Sequence, residues 1–279
     1  MNRHASRLSA DDSALRARLE SLILATDLPA RIAADPIRFP WRYSGPRDIE
    51  IAAMLAALLA FGRVELFGPV IDRALTSMDA AGGPARFIAD YEGDVLPLAY
   101  RWFRPADFSA LFLTMRSLYE RHPSLGSLFP AAPLADSLGL AVKRLRSLAP
   151  VGTSTAFATW FPSPADGSAC KRWCMLLRWM VRREAPDIGL WTHIDPAELI
   201  IPLDTHVMRV SRHAGLTTRN TPGWATACDI TAALRRFDAA DPTRYDFALA
   251  HLGIAQGVGI PLELTEVLLP SPRSTAARR

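Results

Sequence analysis

Lysine is almost missing from this chain. It occurs only at Lys143 and Lys171, so thirty of the 32 basic residues are arginine. Over most of a protein surface that bias carries no chemical meaning, because either residue supplies a solvated positive charge. It matters where an amine must lose its proton and attack a carbon, which a guanidinium does not do. The lysine kept in "CKRW" marks Lys171 as a candidate nucleophile, with a leftover surface lysine as the plain alternative.

Cysteine is scarce as well. Cys170, Cys174 and Cys228 are too few for a disulfide framework and fit a reducing cytoplasm. They also exclude a four-cysteine iron–sulfur site. Cys170 and Cys174 joined by Cys228 or His193 would make a zinc set, but two cysteines four apart on a buried helix face read as small core residues. No metal and no cofactor are expected. Long apolar runs are absent too. The longest, "IAAMLAALLAF" at 51–61, is too short to span a bilayer, and "MNRHASRLSADDSALRARLE" lacks the apolar region of a signal peptide. Neither a membrane partner nor secretion is expected. The formal net charge of +4 suits a polyanion partner without requiring one.

No alternating strand pattern and no internal repeat is present. Helical spacing dominates instead, and 279 residues at 49% hydrophobic can bury one large core or two lobes. Leu15, Leu19, Leu22 and Leu24 predict a helix over 12–26 after an Asp/Ser cluster placed to cap it. "FPWRYSGPRD" is a Pro/Gly loop leading into a helix at 48–62, and another helix runs from Pro69 to about Met78. Phe108, Leu111, Phe112, Met115 and Leu118 give 105–122 an apolar face. A basic amphipathic helix follows at 134–148, then a loop at 150–168. "CKRWCMLLRWMVRRE" sets Trp173, Leu177, Met180 and Val181 on one face and Lys171, Met175, Arg178 and Arg182 on the opposite stripe. Helices over "WATACDITAALRRF" and "RYDFALAHLGIAQ" complete an all-α chain of about ten helices.

"IPLDTHVMRVSRHAGL" (201–216) is the most informative stretch. Asp204 follows a helix-incompatible proline and can cap the helix that begins after it. The same carboxylate, held at a helix start, can also serve a reaction. "LDTHVMRVSRHAGL" resembles the "VDTHVxRVxxRLGL" segment of the helix-hairpin-helix DNA glycosylase superfamily, and "DFALAHLGIAQG" is similar to the helix that follows it there. Upstream, that superfamily carries a hairpin ending Gly-x-Gly-x-Lys just inside a helix. "DGSACKRW" matches with Gly167 at the first glycine and Lys171 at the lysine, while Ala169 replaces the second glycine. The helix at 48–62 and its successor resemble the superfamily's opening pair. Lys171 and Asp204 are 33 residues apart, longer than in endonuclease III because 184–200 inserts a loop. In that spacing the chain resembles the archaeal 8-oxoguanine glycosylases. "CKR…LRWMVR" and "PLDTH" also resemble a bacterial family of unknown function.

The resemblance implies a two-lobed helical domain over 1–270, with a cleft between the lobes, a hairpin and catalytic segment at about 162–215, and a disordered basic tail at 271–279. It implies a DNA glycosylase with abasic-site lyase activity that removes 8-oxoguanine from double-stranded DNA. The expected protein is a monomer in the cytoplasm, associated with the nucleoid. Lys171 and Asp204 are the implied catalytic residues. Gly167, Ser168, Arg172, His206 and Arg63 are implied DNA contacts, and Met175 and His251 the base pocket. Chemically, a neutral Lys171 would attack C1′ of a flipped nucleotide while Asp204 stabilises the sugar cation. The helix N-terminus, with Arg172 and Arg178, would disfavour the ammonium form. Two alternatives stand beside this reading: a non-catalytic DNA-binding module of the same fold, and an unrelated helical metal-dependent enzyme.

Overall fold

In the computed structural model, residues 10–130 and 133–254 are described, with side chains placed for 12–130 and 133–250. The 271–279 tail and the His251 side chain lie outside the described residues. Among those residues the chain is all-α. The order is α1 (Ala10–Leu24), α2 (Leu28–Ala34), α3 (Pro46–Leu59), α4 (Val64–Ala80), α5 (Pro84–Ala89), α6 (Pro105–Arg121), α7 (Leu134–Leu148), α8 (Thr155–Ala158), α9 (Lys171–Val181), α10 (Thr205–His213), α11 (Trp224–Arg235) and α12 (Asp246–Ile254). The one extended pairing described is an isolated bridge between Tyr100 and Phe103. No described helix is long and apolar enough to cross a membrane.

Local chemistry explains most boundaries. α3, α5 and α6 open with proline, whose missing N–H costs nothing in the first turn and whose φ is already helical. Asp27 and Ser154 cap α2 and α8 by accepting backbone N–H groups. α1 begins earlier than its sequence implies. Asp12 and Ser13 sit inside its first turn, where a carboxylate complements the positive helix end. α4 also begins early, at Val64, and carries Pro69 within it rather than at its start. Gly68 makes this tolerable, because a residue without Cβ relieves the clash that proline imposes on its predecessor. A Cβ there would also meet Arg38 Nη2 at 3.1 Å. The 150–168 segment is not wholly a loop: it holds α8 and a 3-10 turn, Pro164–Asp166.

α3 is the central element. Every side chain from Ile49 to Leu59 is buried, against α4, α5, α9 and the 3-10 turns Pro36–Arg38 and Pro40–Arg42. The apolar face foreseen for α6 is buried in full. α10 and α1 pack on α12, and α11 packs on the 3-10 turn Pro242–Tyr245. α9 touches both groups, lying on α3 while its Arg178 reaches Asp246 on α12.

Glu50 of α3 places a carboxylate within this core. Glu50 accepts from Tyr119 Oη at 3.1 Å, Leu125 N at 2.9 Å, Trp191 Nε1 at 2.7 Å and Ser124 Oγ. A buried carboxylate without a cation is costly unless donors replace its water. Here four do, and one belongs to the 184–200 loop, so Glu50 ties that loop to α3. Trp191 also covers Gly126, where a Cβ would lie 2.8 Å from the indole, and stacks on Phe129 with centroids 5.4 Å apart. Glu50→Ala strands several buried donors and is expected to lower unfolding free energy by about 3 kcal/mol or more. Glu50→Gln keeps one accepting oxygen and should lose less. Urea denaturation of both variants checks this, and an alanine variant as stable as wild type refutes it.

Candidate functional site

The start of α9 is set by a kinked approach. Gly167 ends the Pro164–Asp166 turn with φ 74°, a left-handed conformation that glycine adopts without strain. Its carbonyl accepts the Trp224 N–H at 3.1 Å, seating this turn on the head of α11. The approach is close, since a Cβ on Gly223 would stand 3.0 Å from that oxygen. Ser168 Oγ accepts the Cys170 N–H at 3.2 Å. Cys170 is itself left-handed, φ 47°, which is uncommon for a residue with a Cβ. The chain then enters α9 at Lys171.

The start of α10 is set by Asp204. Its Oδ1 accepts the N–H groups of His206 at 2.9 Å and Val207 at 2.8 Å. Its Oδ2 lies 3.4 Å from Lys171 Nζ, with the two side chains 23% and 35% exposed. One oxygen therefore caps the helix while the other faces the amine, and both groups are within reach of solvent. The capping reading of Asp204 holds, and its second oxygen is left facing the amine.

The polar stripe of α9 is not a solvated face. All residues from Trp173 to Val181 are buried, Arg178 among them, and Arg182 is buried just beyond. Arg178 pairs with Asp187 at 3.2 Å and with Asp246. Arg182 pairs with Asp187 and, at 2.8 Å, with Asp241. Burial raises the Asp187 carboxyl, against the pull of both arginines. Burial, with the nearby Asp204 and Asp187, lifts Asp246 to about 6 while Arg178 and Lys171 pull it down. Arg178 thus does not act as a bare cation that disfavours the Lys171 ammonium. Its charge is answered by two carboxylates.

Arg172 points inward as well. Its guanidinium donates to the carbonyls of Leu58, at 2.8 Å, and Thr159, and lies 5.4 Å from the Phe61 ring centroid. Burial pushes its pKa down to about 10. It fastens the head of α9 to the tail of α3. Beside it, Phe61 stacks on Trp102 at 5.2 Å and lies under Arg101 at 5.4 Å. Arg101 and Trp102 form the tip of the Tyr100–Phe103 bridge, with Arg101 at φ 52° and Trp102 half exposed. This tip was missed in the sequence, where "YRWF" shows no recognisable period. Arg63, exposed at the head of α4, is two residues from Phe61 and so belongs to the same neighbourhood.

Gly167, Ser168, Lys171, Arg172, Asp204 and His206 thus come together around two helix starts. Met175 lies one turn beyond Lys171 among the buried residues. The His251 side chain is outside the described residues. Lys143 is exposed on α7, in a groove with Arg146, Ser163, Asp166 and Trp224 that lies beside Gly167. Among the described residues no group of three or more His, Cys, Asp or Glu is placed to hold a metal ion. Burial pushes the Cys170 thiol up to about 11 and Cys174 well above its ordinary range, as core thiols.

The two duties of Asp204 can be separated. Asp204→Ala removes the cap and should cost about 1 kcal/mol, whereas Asp204→Asn, an equally good cap, should stay near wild type in stability. Thermal melts distinguish these, and equal losses would mean that the Lys171 ion pair, not the cap, stabilises α10.

No curated protein and no solved structure matches the chain. A family model does match, over residues 35–255. That span begins at the Asp35 cap, runs through α3, Lys171 and Asp204, and extends past the end of α12. The chain therefore belongs to the family of proteins of unknown function DUF2400.

Proposed function

We propose that this chain is a base-excision repair enzyme, a DNA glycosylase with abasic-site lyase activity, and that 8-oxoguanine in double-stranded DNA is its favoured lesion. The observation that carries the reading is the meeting of Lys171 and Asp204. Thirty-three residues separate them in sequence, yet amine and carboxylate lie 3.4 Å apart at two adjacent helix starts. A lysine at the head of a helix, beside a partly exposed carboxylate, is the pairing that imine chemistry on a sugar requires. The helical architecture is compatible with a two-lobed glycosylase fold, with α9 between the α3 group and the α12 group.

In this reading the neutral Lys171 amine bonds C1′ as the glycosidic bond breaks and the base leaves, and Asp204, ionised until then, takes the proton from the nitrogen of the new C–N bond. Ring opening then gives an imine from which β-elimination cuts the strand. The negative charge of Asp204 stabilises the sugar cation as it develops. Gly167, Ser168 and His206 stand where a backbone phosphate would approach the two helix starts. The half-exposed Trp102, flanked by Arg101, offers a face on which a base can stack. Arg172, engaged with two carbonyls, positions the head of α9 rather than contacting phosphate. A monomer associated with the nucleoid is the corresponding cellular form.

The decisive experiment traps the imine. With abasic or 8-oxoguanine DNA and borohydride, wild type should form a covalent protein–DNA adduct, and Lys171→Gln should abolish both adduct and strand cleavage. Lys143→Gln should at most weaken binding in a salt-dependent way. With two lysines, the N-terminal amine is the one other primary-amine competitor. An adduct that survives Lys171→Gln and disappears with Lys143→Gln defeats the assignment, while DNA binding without any adduct indicates a non-catalytic module.

A panel of lesion duplexes tests the substrate, which rests on the resemblance in Lys–Asp spacing. 8-oxoguanine should be excised faster than uracil or alkylated bases. Faster release of either of those reassigns the lesion.

A further inference from the structure

α10 leads away from the Lys171–Asp204 pair with one face buried and one face open. Val207, Val210 and Ser211 are buried, and the helix packs on α12. Thr205, Arg209 and Arg212 follow one another at four- and three-residue spacing, which sets them along one side of a helix, and all three are exposed. Between this side and Pro222, in the segment before α11, lies an open hollow of about 220 Å³. Met208 and Pro222 give it apolar surface, and Arg209 and Arg212 give it positive charge. Thr205 lines it at the start of the helix, next in sequence to Asp204. His213 lines it at the end, with Nδ1 2.8 Å from the Arg209 carbonyl.

A helix C-terminus attracts cations, and that alone accounts for Arg212 and His213 in the last turn. It does not account for Arg209 a turn earlier. Nor does it account for the lack of acids: among the described residues no carboxylate lines the hollow. Arg219, just beyond α10, differs in this respect, being paired with Asp229. Positive charge beside apolar surface, with no acid, suits a partner that is anionic and apolar at short intervals. A deoxyribose–phosphate strand has that character, since each sugar shows its C–H surface between two negative phosphates. From Thr205 to Arg212 the helix rises roughly 10 Å, a length over which one strand of a duplex carries about three phosphates.

We propose that this hollow is a sugar–phosphate subsite for the DNA strand that carries the reacting nucleotide, with Arg209 and Arg212 holding its phosphates and Met208 and Pro222 packing on a deoxyribose. The inference rests on the function proposed above, in which a nucleotide reacts at Lys171 and Asp204. Thr205 adjoins Asp204, so the sugars and phosphates in the hollow belong to the immediate neighbours of that nucleotide. The subsite contributes binding and register, and no bond is made or broken in it.

Binding can be read without any enzymatic activity. Fluorescence anisotropy of a labelled duplex containing tetrahydrofuran, an uncleavable abasic analogue, gives the affinity at several salt concentrations. Each phosphate contact contributes about 0.9 to the slope of log affinity against log salt. Arg209→Gln/Arg212→Gln should therefore flatten the slope by about 2, and each single variant by about half of that. Both side chains are exposed, so the fold should survive, and a single variant serves if the double one melts early. Arg86→Gln/Arg121→Gln removes the same charge from exposed positions on α5 and α6 and should keep the wild-type slope. An equal flattening in both pairs overturns the proposal. Contact is then located by replacing one phosphate at a time with a neutral methylphosphonate, in either strand. At phosphates beside the tetrahydrofuran nucleotide, the replacement should weaken wild type and leave the double variant unaffected. A replacement that weakens both proteins equally at every position, or one whose effect maps to the opposite strand, overturns the subsite. If wild type also forms the borohydride adduct with abasic DNA, that failure leaves the lyase reading intact. Conversely, the expected pattern with no adduct defeats the lyase reading and leaves the subsite standing.

Discussion

Two guanidinium groups enter the core along one face of α9, and much of the molecule is arranged to accommodate them. A buried cation is tolerable only when carboxylates and hydrogen bonds accompany it. Arg178 and Arg182 draw theirs from Asp187 in the loop after α9, Asp246 on α12 and Asp241 before it. Each pairing fixes a segment distant in sequence against the same helix. Removing one partner would leave a buried charge uncompensated, so the set stabilises by mutual dependence more than by the strength of any one contact. The head of α9, with Lys171, is held in place by the same constraint.

The loop at 184–200 is woven into this framework. Its first part supplies Asp187 to the arginines, and Ile188 and Trp191 donate backbone N–H groups to Trp179 and Met180 at 2.8 and 2.6 Å. Its indole then reaches Glu50 within α3. The loop is thereby bound to α9 and to α3, and α10 starts next to α9 in spite of the long intervening sequence. Asp204 can then cap one helix and face the amine of another. Arg172 adds a third fastening, from the head of α9 to the last turn of α3.

These features converge on a chemical environment rather than a shape. The exposed head of the stripe pairs a lysine with a carboxylate, the buried remainder pairs arginines with carboxylates, and an aromatic tip flanked by arginine stands near the exposed end. Under the proposed reading, the carboxylate of Asp204 is the proton acceptor beside the nucleophilic amine.

Much of the architecture was legible from residues alone. The helical class, the α6 and α7 spans, the capping duty of Asp204 and the singling out of Lys171 all follow from local signals: apolar period, proline placement, cap chemistry and the shortage of lysine. Local signals act within a turn or two, so a single stretch of sequence contains them in full. They mislead where distant groups decide. The stripe of Lys171, Met175, Arg178 and Arg182 has the period of a solvated face, because a period cannot distinguish water from a carboxylate brought by another helix. Pro69 looks like a helix start, because the relief supplied by Gly68 shows only in the folded backbone. The approach of Lys171 to Asp204, the inward turn of Arg172 and the pairing of Arg178 with Asp246 were decided by tertiary packing, since each depends on partners tens of residues away whose positions are set only when the core closes.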